Sequence, residues 1–269
     1  MRLISRCALA TVAVALVAAG PAAAKIPPQK LKVVVSPSKA GTKAKPKAIS
    51  LTFNPFLAVD AAGLTAIDAV PFATQIAHVN ADKNIAFNLS AFPTCTAAVV
   101  NHSNATCPKG SQVGAGKASA RALGITQSDF VVKAYNGPNK HLFLLVDGKA
   151  PLSIHSVIDG VFKKSTGPYG QELYFTIPPE LQQPVPGAIA AITNFTTTLA
   201  AKPTGKGGKS YVETIGCPKS KSLKFAYKGE FAEYSTDASG KILIDPATGD
   251  LQAPAKTTQT VSAKVPCSS

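Results

Sequence analysis

The sequence predicts an all-β chain, an antiparallel β-sandwich of jelly-roll or immunoglobulin-like type held by two disulfides. Three observations lead there. Segments with apolar residues at every second position recur at intervals near ten residues, separated by Gly, Pro, Asn and Asp. Helical spacing is nearly absent: only residues 58–67 and 184–192 can be drawn as helices, and each is short and contains Gly or Pro. Finally, four cysteines follow what reads as an export leader.

The leader comes first. Arg2 and Arg6 precede an apolar run over residues 7–19 that only Thr11 interrupts, and Gly20-Pro21 breaks it. Ala22-Ala23-Ala24 then offers small residues for cleavage, so residues 1–24 read as a secretory signal peptide cut after Ala24. Removing Arg2 and Arg6 lowers the formal charge from +14 to +12. No later run reaches membrane-spanning length, so no transmembrane segment is expected after cleavage. The expected location is secreted or associated with the cell envelope. A 45% hydrophobic chain with 16% charged residues is too apolar for disorder, and it lacks the repeats of collagen or a coiled coil.

Residues 25–47 hold seven lysines and no acid, so most of the remaining charge sits in a short N-terminal segment. Within it Leu31, Val33 and Val35 share one parity and predict the first strand. Ile49, Leu51 and Phe53 predict the next, with residues 36–47 as the loop between. Ile85, Phe87 and Leu89 follow, and then Val113-Gly114-Ala115-Gly116-Lys117-Ala118. No helix follows this Gly-x-Gly and no third glycine completes it. It is expected to be a strand of small residues that another backbone passes closely, rather than a phosphate cradle.

Phe130, Val132 and Ala134 lead into the turn Asn136-Gly137-Pro138-Asn139. Residues 141–146 are nearly all apolar, as expected of a strand covered on both faces. Residues 154–162, 173–177 and 193–199 predict three more strands, and Pro178-Pro179 stops one of them. Phe225, Tyr227 and Phe231 precede a turn at residues 237–240. Val261, Ala263 and Val265 share parity with Cys267. Residues 48–269 are taken as a single domain, because the segment after the Gly- and Lys-rich residues 202–209 is too short to build a core alone.

Four cysteines remain after cleavage: Cys95, Cys107, Cys217 and Cys267. Three pairings can be drawn, and local pairing, Cys95 with Cys107 and Cys217 with Cys267, is the expected one. The inward parity of Cys267 supports a buried bridge to Cys217. Loop-closure entropy assigns about 3 kcal/mol to the short loop and about 4 kcal/mol to the long one. No CxxC spacing or His pair favours zinc.

Phe92-Pro93-Thr94-Cys95, followed by Cys107-Pro108-Lys109-Gly110-Ser111-Gln112-Val113-Gly114-Ala115-Gly116-Lys117-Ala118, resembles a group of exported actinobacterial proteins. Their pattern is FPxC, a short gap, then CPxGSxVGxGxA. A second Cys-Pro at Cys217-Pro218, a late Cys267 and the opening Ser36-Pro37-Ser38-Lys39-Ala40-Gly41-Thr42 are similar too. The resemblance covers most of the mature chain and implies export and a disulfide-bonded β fold. Its motifs are structural, and it implies no catalytic residue.

Chemistry is sparse. There is no GxSxG, and His78, His102, His141 and His155 stand alone. Glu230 and Glu233 are the closest acidic pair, but a three-residue spacing puts them on opposite faces of a strand. Asp147 and Asp159 sit beside Gly at strand ends. Asp245-Pro246-Ala247-Thr248-Gly249-Asp250 lacks the oxygen density of a calcium loop. No catalytic residue, cofactor or metal is therefore expected. Lys39, Lys43, Lys45 and Lys47 are candidate anion contacts, with anionic cell-wall polymer or glycan as partner. Nucleic acid is not expected, because the chain is exported and no aromatics interleave the lysines. The function expected is a non-enzymatic binding or structural module of the cell surface or its surroundings. The alternative is an extracellular carbohydrate-active hydrolase whose acids meet only in three dimensions.

Overall fold

The computed structural model describes residues 26–59, 72–102, 106–185, 187–202, 204–237, 241–252 and 254–269. The signal peptide over residues 1–24, most of the helix expected over residues 58–67, and the tip of the turn at 237–240 lie outside the described residues.

Alternating apolar residues form fourteen strands among the described residues: β1 (Gln29–Ser36), β2 (Lys47–Ala48), β3 (Ser50–Leu57), β4 (Phe72–Asp82), β5 (Ile85–Phe87), β6 (Gln112–Ala122), β7 (Ile125–Asn136), β8 (His141–Gly148), β9 (Ile154–Lys164), β10 (Tyr169–Thr176), β11 (Ala191–Leu199), β12 (Val212–Thr214), β13 (Ser222–Glu233) and β14 (Ala255–Pro266). Eleven of them make one sheet in the order β1-β3-β11-β6-β7-β8-β9-β10-β4-β13-β14. A small sheet, β2-β12-β5, lies apart and contributes Phe87 to the interior. The chain is all-β and antiparallel, with bridges Cys95–Cys107 and Cys217–Cys267, whose Cα atoms lie 5.4 and 5.8 Å apart.

The main sheet is one continuous sheet that curls until its edges nearly meet. With every neighbour antiparallel, an odd number of strands brings β1 and β14 side by side in the same direction. At one end the Gln29 amide donates to Gln259 Oε1 at 2.8 Å, and Gln259 Nε2 donates to the Ile26 and Pro27 carbonyls. At the other, Lys39 and Ser268 form a parallel bridge, and the Ala40 amide donates to the Ser268 carbonyl at 2.7 Å. Between these pins no ladder joins the two strands among the described residues.

Local chemistry explains the individual walls. A Cβ built on Gly114 would lie 2.5 Å from the Thr198 carbonyl oxygen, and one on Gly116 would collide with the Thr196 carbonyl. Small residues on β6 thus let β11 approach, as the Gly-x-Gly suggested. On β8, Leu142, Leu144 and Val146 face inward. Its outward Phe143 and Leu145 are covered by Cys95 and by Val100 of a short helix, Ala97–Val100. The apolar run of that strand is therefore buried on both faces. The helix expected over residues 184–192 is not formed: Gly187 has φ +79° and β11 begins at Ala191. A single helical turn lies earlier, at Pro179–Gln182, with proline at its start. Strand β4 was not expected from the sequence.

Candidate functional site

The inward parity of the curled sheet places Phe53, Leu142, Phe175, Phe195 and Phe225 around a common interior. These side chains do not fill it. A cavity of about 110 Å³ remains, walled by β3, β4, β8, β9, β10, β11 and β13 together with Phe87. A second cavity of about 160 Å³ adjoins it, with Ile158, Ile192 and Phe195 as the shared wall. For scale, an apolar cavity of about 150 Å³ stays dry and takes up benzene.

Among the described residues, none that walls either cavity is charged. The polar residues of the first are Gln29, Thr74, Gln171, Thr197 and Tyr227. Burial pushes the Tyr227 phenol well above its ordinary range, so it stays a neutral hydroxyl at any physiological pH. Gln171 Oε1 and Thr197 Oγ1 are buried and have no hydrogen-bond partner. Such an interior can hold an uncharged, largely apolar molecule. Its described walls hold no carboxylate or imidazole.

A cleft lies along the seam between β1 and β14. Of about 470 Å³, it runs along Gln29–Val33 on one side and Val261–Lys264 on the other. Gln29 and Phe56 wall both the cleft and the first cavity. Exposed Lys30, Lys32 and Lys264 flank the cleft on its outer side.

The acids are placed elsewhere. Asp82 is buried, accepting hydrogen bonds from the Asn84 amide, Asn84 Nδ2 and the Lys224 amide. Glu213 is buried too, between the Ser210 amide and Asn88 Nδ2. Each is saturated by its own partners and neither walls the interior cavities. Glu230 and Glu233 take opposite parities on β13. Glu233 accepts from the Thr257 hydroxyl at 2.7 Å, while Glu230 faces outward.

Cross-strand register on the outer face builds a group that sequence spacing did not reveal. His78 on β4 stands between β10 and β13, so its Nδ1 meets Glu172 and its Nε2 lies 3.1 Å from Glu230 Oε1. Lys228 Nζ donates to the same oxygen at 2.6 Å. This hydrogen bond, helped by His78, holds the Glu230 carboxyl below the usual carboxylate range. Asp159 and Asp147 likewise pair with His141 and His155 along β8 and β9. Both ring nitrogens of His78 are paired with carboxylates and the Lys228 ammonium is paired with Glu230, so the group reads as a surface charge network.

The lysines singled out from the sequence lie away from the cavities. Lys39 is exposed beside the pin at Ser268. Lys43 and Lys45 are exposed in a turn closed by the Thr42 amide on the Lys45 carbonyl, and Lys47 is half-buried in β2 opposite Thr214. No family model, curated protein or solved structure matches the chain.

Proposed function

We propose that this chain is an exported, non-enzymatic binding module that holds a small apolar molecule inside its curled sheet. The observation that carries the reading is the uncharged, incompletely filled interior. The opposed walls, β3 with β11 and β8 to β10 with β4 and β13, face each other across it in the manner of a sandwich. A close-packed interior is the norm, and an unfilled apolar one forfeits contact energy that a ligand restores. The cleft at the β1–β14 seam is the entry route. Two disulfides, and the absence of any helix among the described residues long and apolar enough to cross a membrane, fit an extracellular setting. The hydrolase alternative would need two close carboxylates at a cavity. The buried acids Asp82 and Glu213 are instead tied up separately.

Toluene titrated into the protein while amide and methyl resonances are followed tests the reading. Saturable shifts are expected at residues lining the first cavity, such as Leu142 and Val79. Ala77→Phe, which fills the cavity from β4, should weaken binding by at least about tenfold, because it removes the apolar burial available to the ligand. Ala77→Leu is the milder variant should the larger ring disturb folding. Absence of saturable shifts in the wild type would end the proposal.

A second reading rests on the exposure of Lys39, Lys43 and Lys45, close in sequence and with no acid among them. The N-terminal segment adsorbs the module to anionic wall polymer or glycan, leaving the interior free. Changing Lys39, Lys43, Lys45 and Lys47 to Gln should lower adsorption to purified anionic polymer at low salt. Raising salt should erase the difference, since the Debye length is about 8 Å at physiological ionic strength. Equal, salt-insensitive adsorption of the two proteins would refute it.

A further inference from the structure

The interior has an apolar wall with one polar discontinuity. Gln171 on β10 and Thr197 on β11 both wall the first cavity, and each carries a buried oxygen without a partner. Buried side-chain oxygens are normally satisfied, and leaving one unpaired costs more than a neutral hydrogen bond returns. Only one further buried side-chain atom, Ser210 Oγ, is unpartnered among the described residues, and Ser210 does not wall this cavity. Two of the three unsatisfied groups thus fall on one cavity, itself able to admit a molecule.

We infer that the ligand of this cavity is an uncharged molecule of about single-ring size carrying a hydroxyl group. The hydroxyl donates to Gln171 Oε1 and accepts from the Thr197 hydroxyl. The inference rests on the interior being a binding site. The chemistry selects against the two obvious neighbours of such a molecule. A pure hydrocarbon would fill the cavity but leave both oxygens unpaired. A carboxylate would meet no cation among the described residues walling the cavity, and Gln171 Oε1 can only accept. A hydroxyl is both donor and acceptor, which matches a carbonyl oxygen on one strand and a threonine hydroxyl on another. The terminal amide torsion of Gln171 is broad, so its oxygen can turn toward a bound group without leaving its strand position.

Three molecules on one skeleton separate the possibilities: toluene, benzyl alcohol and benzoate, each titrated at neutral pH and followed by resonance shifts of the cavity walls. Benzyl alcohol should bind best, by about 3- to 10-fold over toluene after correction for their transfer from water, with benzoate weakest. Thr197→Val keeps the shape and removes the hydroxyl. It should lower benzyl alcohol affinity by about 3- to 10-fold and leave toluene affinity equal or better. A readout without ligand accompanies it: deleting an unpaired buried hydroxyl should raise the melting temperature of the empty protein, by about 2–4 °C. Gln171→Leu provides the second variant with the same expected pattern. Toluene binding with no preference for the alcohol in the wild type would overturn this inference and leave the apolar binding module standing. A melting temperature lowered by Thr197→Val would overturn it as well, since the hydroxyl would then already be satisfied. Failure of all three molecules to bind would remove the site itself.

Discussion

Asn136 and Gln171 are two uncharged amides set into the same β structure, and they are used in opposite ways. Asn136, at the end of β7, is fully buried. Its Nδ2 shares two protons among the carbonyls of Leu89, Phe92 and Pro93 at 3.1–3.2 Å, and its Oδ1 accepts from the Tyr211 hydroxyl at 3.2 Å. Its backbone is committed too, donating to the Ser111 carbonyl and accepting from the Cys95 amide, each at 2.8 Å. The side chain thereby ties residues 89–93 and Tyr211 to the sheet, and the backbone of the same residue ties Cys95 and Ser111. Gln171 presents its oxygen beside a cavity with nothing bound to it. A polar group saturated by its own chain belongs to the scaffold, whereas one left unsaturated against an unfilled interior is available to a ligand.

The largest effect expected from breaking this contrast comes from replacing each amide by leucine. Asn136→Leu strands three carbonyls and a tyrosine hydroxyl in a buried site and should cost about 3–5 kcal/mol in urea unfolding. Gln171→Leu removes an unpaired buried oxygen and should leave stability equal to the wild type or higher by up to about 1 kcal/mol. Equal losses from the two substitutions would show that Gln171 is as structural as Asn136, and the distinction would collapse.

The sequence made one of these two amides visible and not its role. Asn136 was legible as the first residue of a turn, through Gly137-Pro138-Asn139 behind it, and that turn forms, with Asn139 and Lys140 at positive φ. Its four side-chain partners come from 43 or more residues away and leave no local signal. Much of the fold was legible for a physical reason: period two reports which side of a strand is buried. It therefore placed β1, β3, β7 to β11, β13 and β14, the covered faces of β8, and the inward sulfur of Cys267, which is 7% exposed. Strand β4 escaped because its register against β13 slips between Glu230 and Phe231, so its apolar residues, Phe72, Ala73, Ile76, Ala77 and Val79, do not keep one parity. The cavity escaped for a deeper reason. Phe53, Phe175, Phe195 and Phe225 read as core whether the interior is full or hollow, because alternation records facing and not filling. The near-closure of the sheet is equally silent, since it depends on where β1 meets β14. The His78, Glu172 and Glu230 group depends on register between three strands, each contributing a residue that stands alone in its own segment.

That surface group supplies the smallest effect and a third term for the contrast, polar groups that water can serve. Glu230 is one-third exposed on its side chain, so loss of a partner is answered by solvent. Its carboxyl is held low first by the hydrogen bond from Lys228 and then by His78. A carboxyl whose folded pKa lies below its unfolded value of about 4.5 adds stability above that value and loses it as pH falls through the folded pKa. Lys228→Gln should therefore move the Glu230 titration, followed by its side-chain carbonyl resonance, upward toward 4.5. The small stability difference between the two proteins, greatest above pH 5, should vanish in acid. At neutral pH the urea midpoint should barely move, in contrast to Asn136→Leu, because water replaces the lost ammonium at the surface and cannot replace an amide in the core. An unmoved Glu230 titration in Lys228→Gln would mean that His78 alone sets it. A midpoint shift as large as that of Asn136→Leu would mean that exposure does not separate scaffold from surface here.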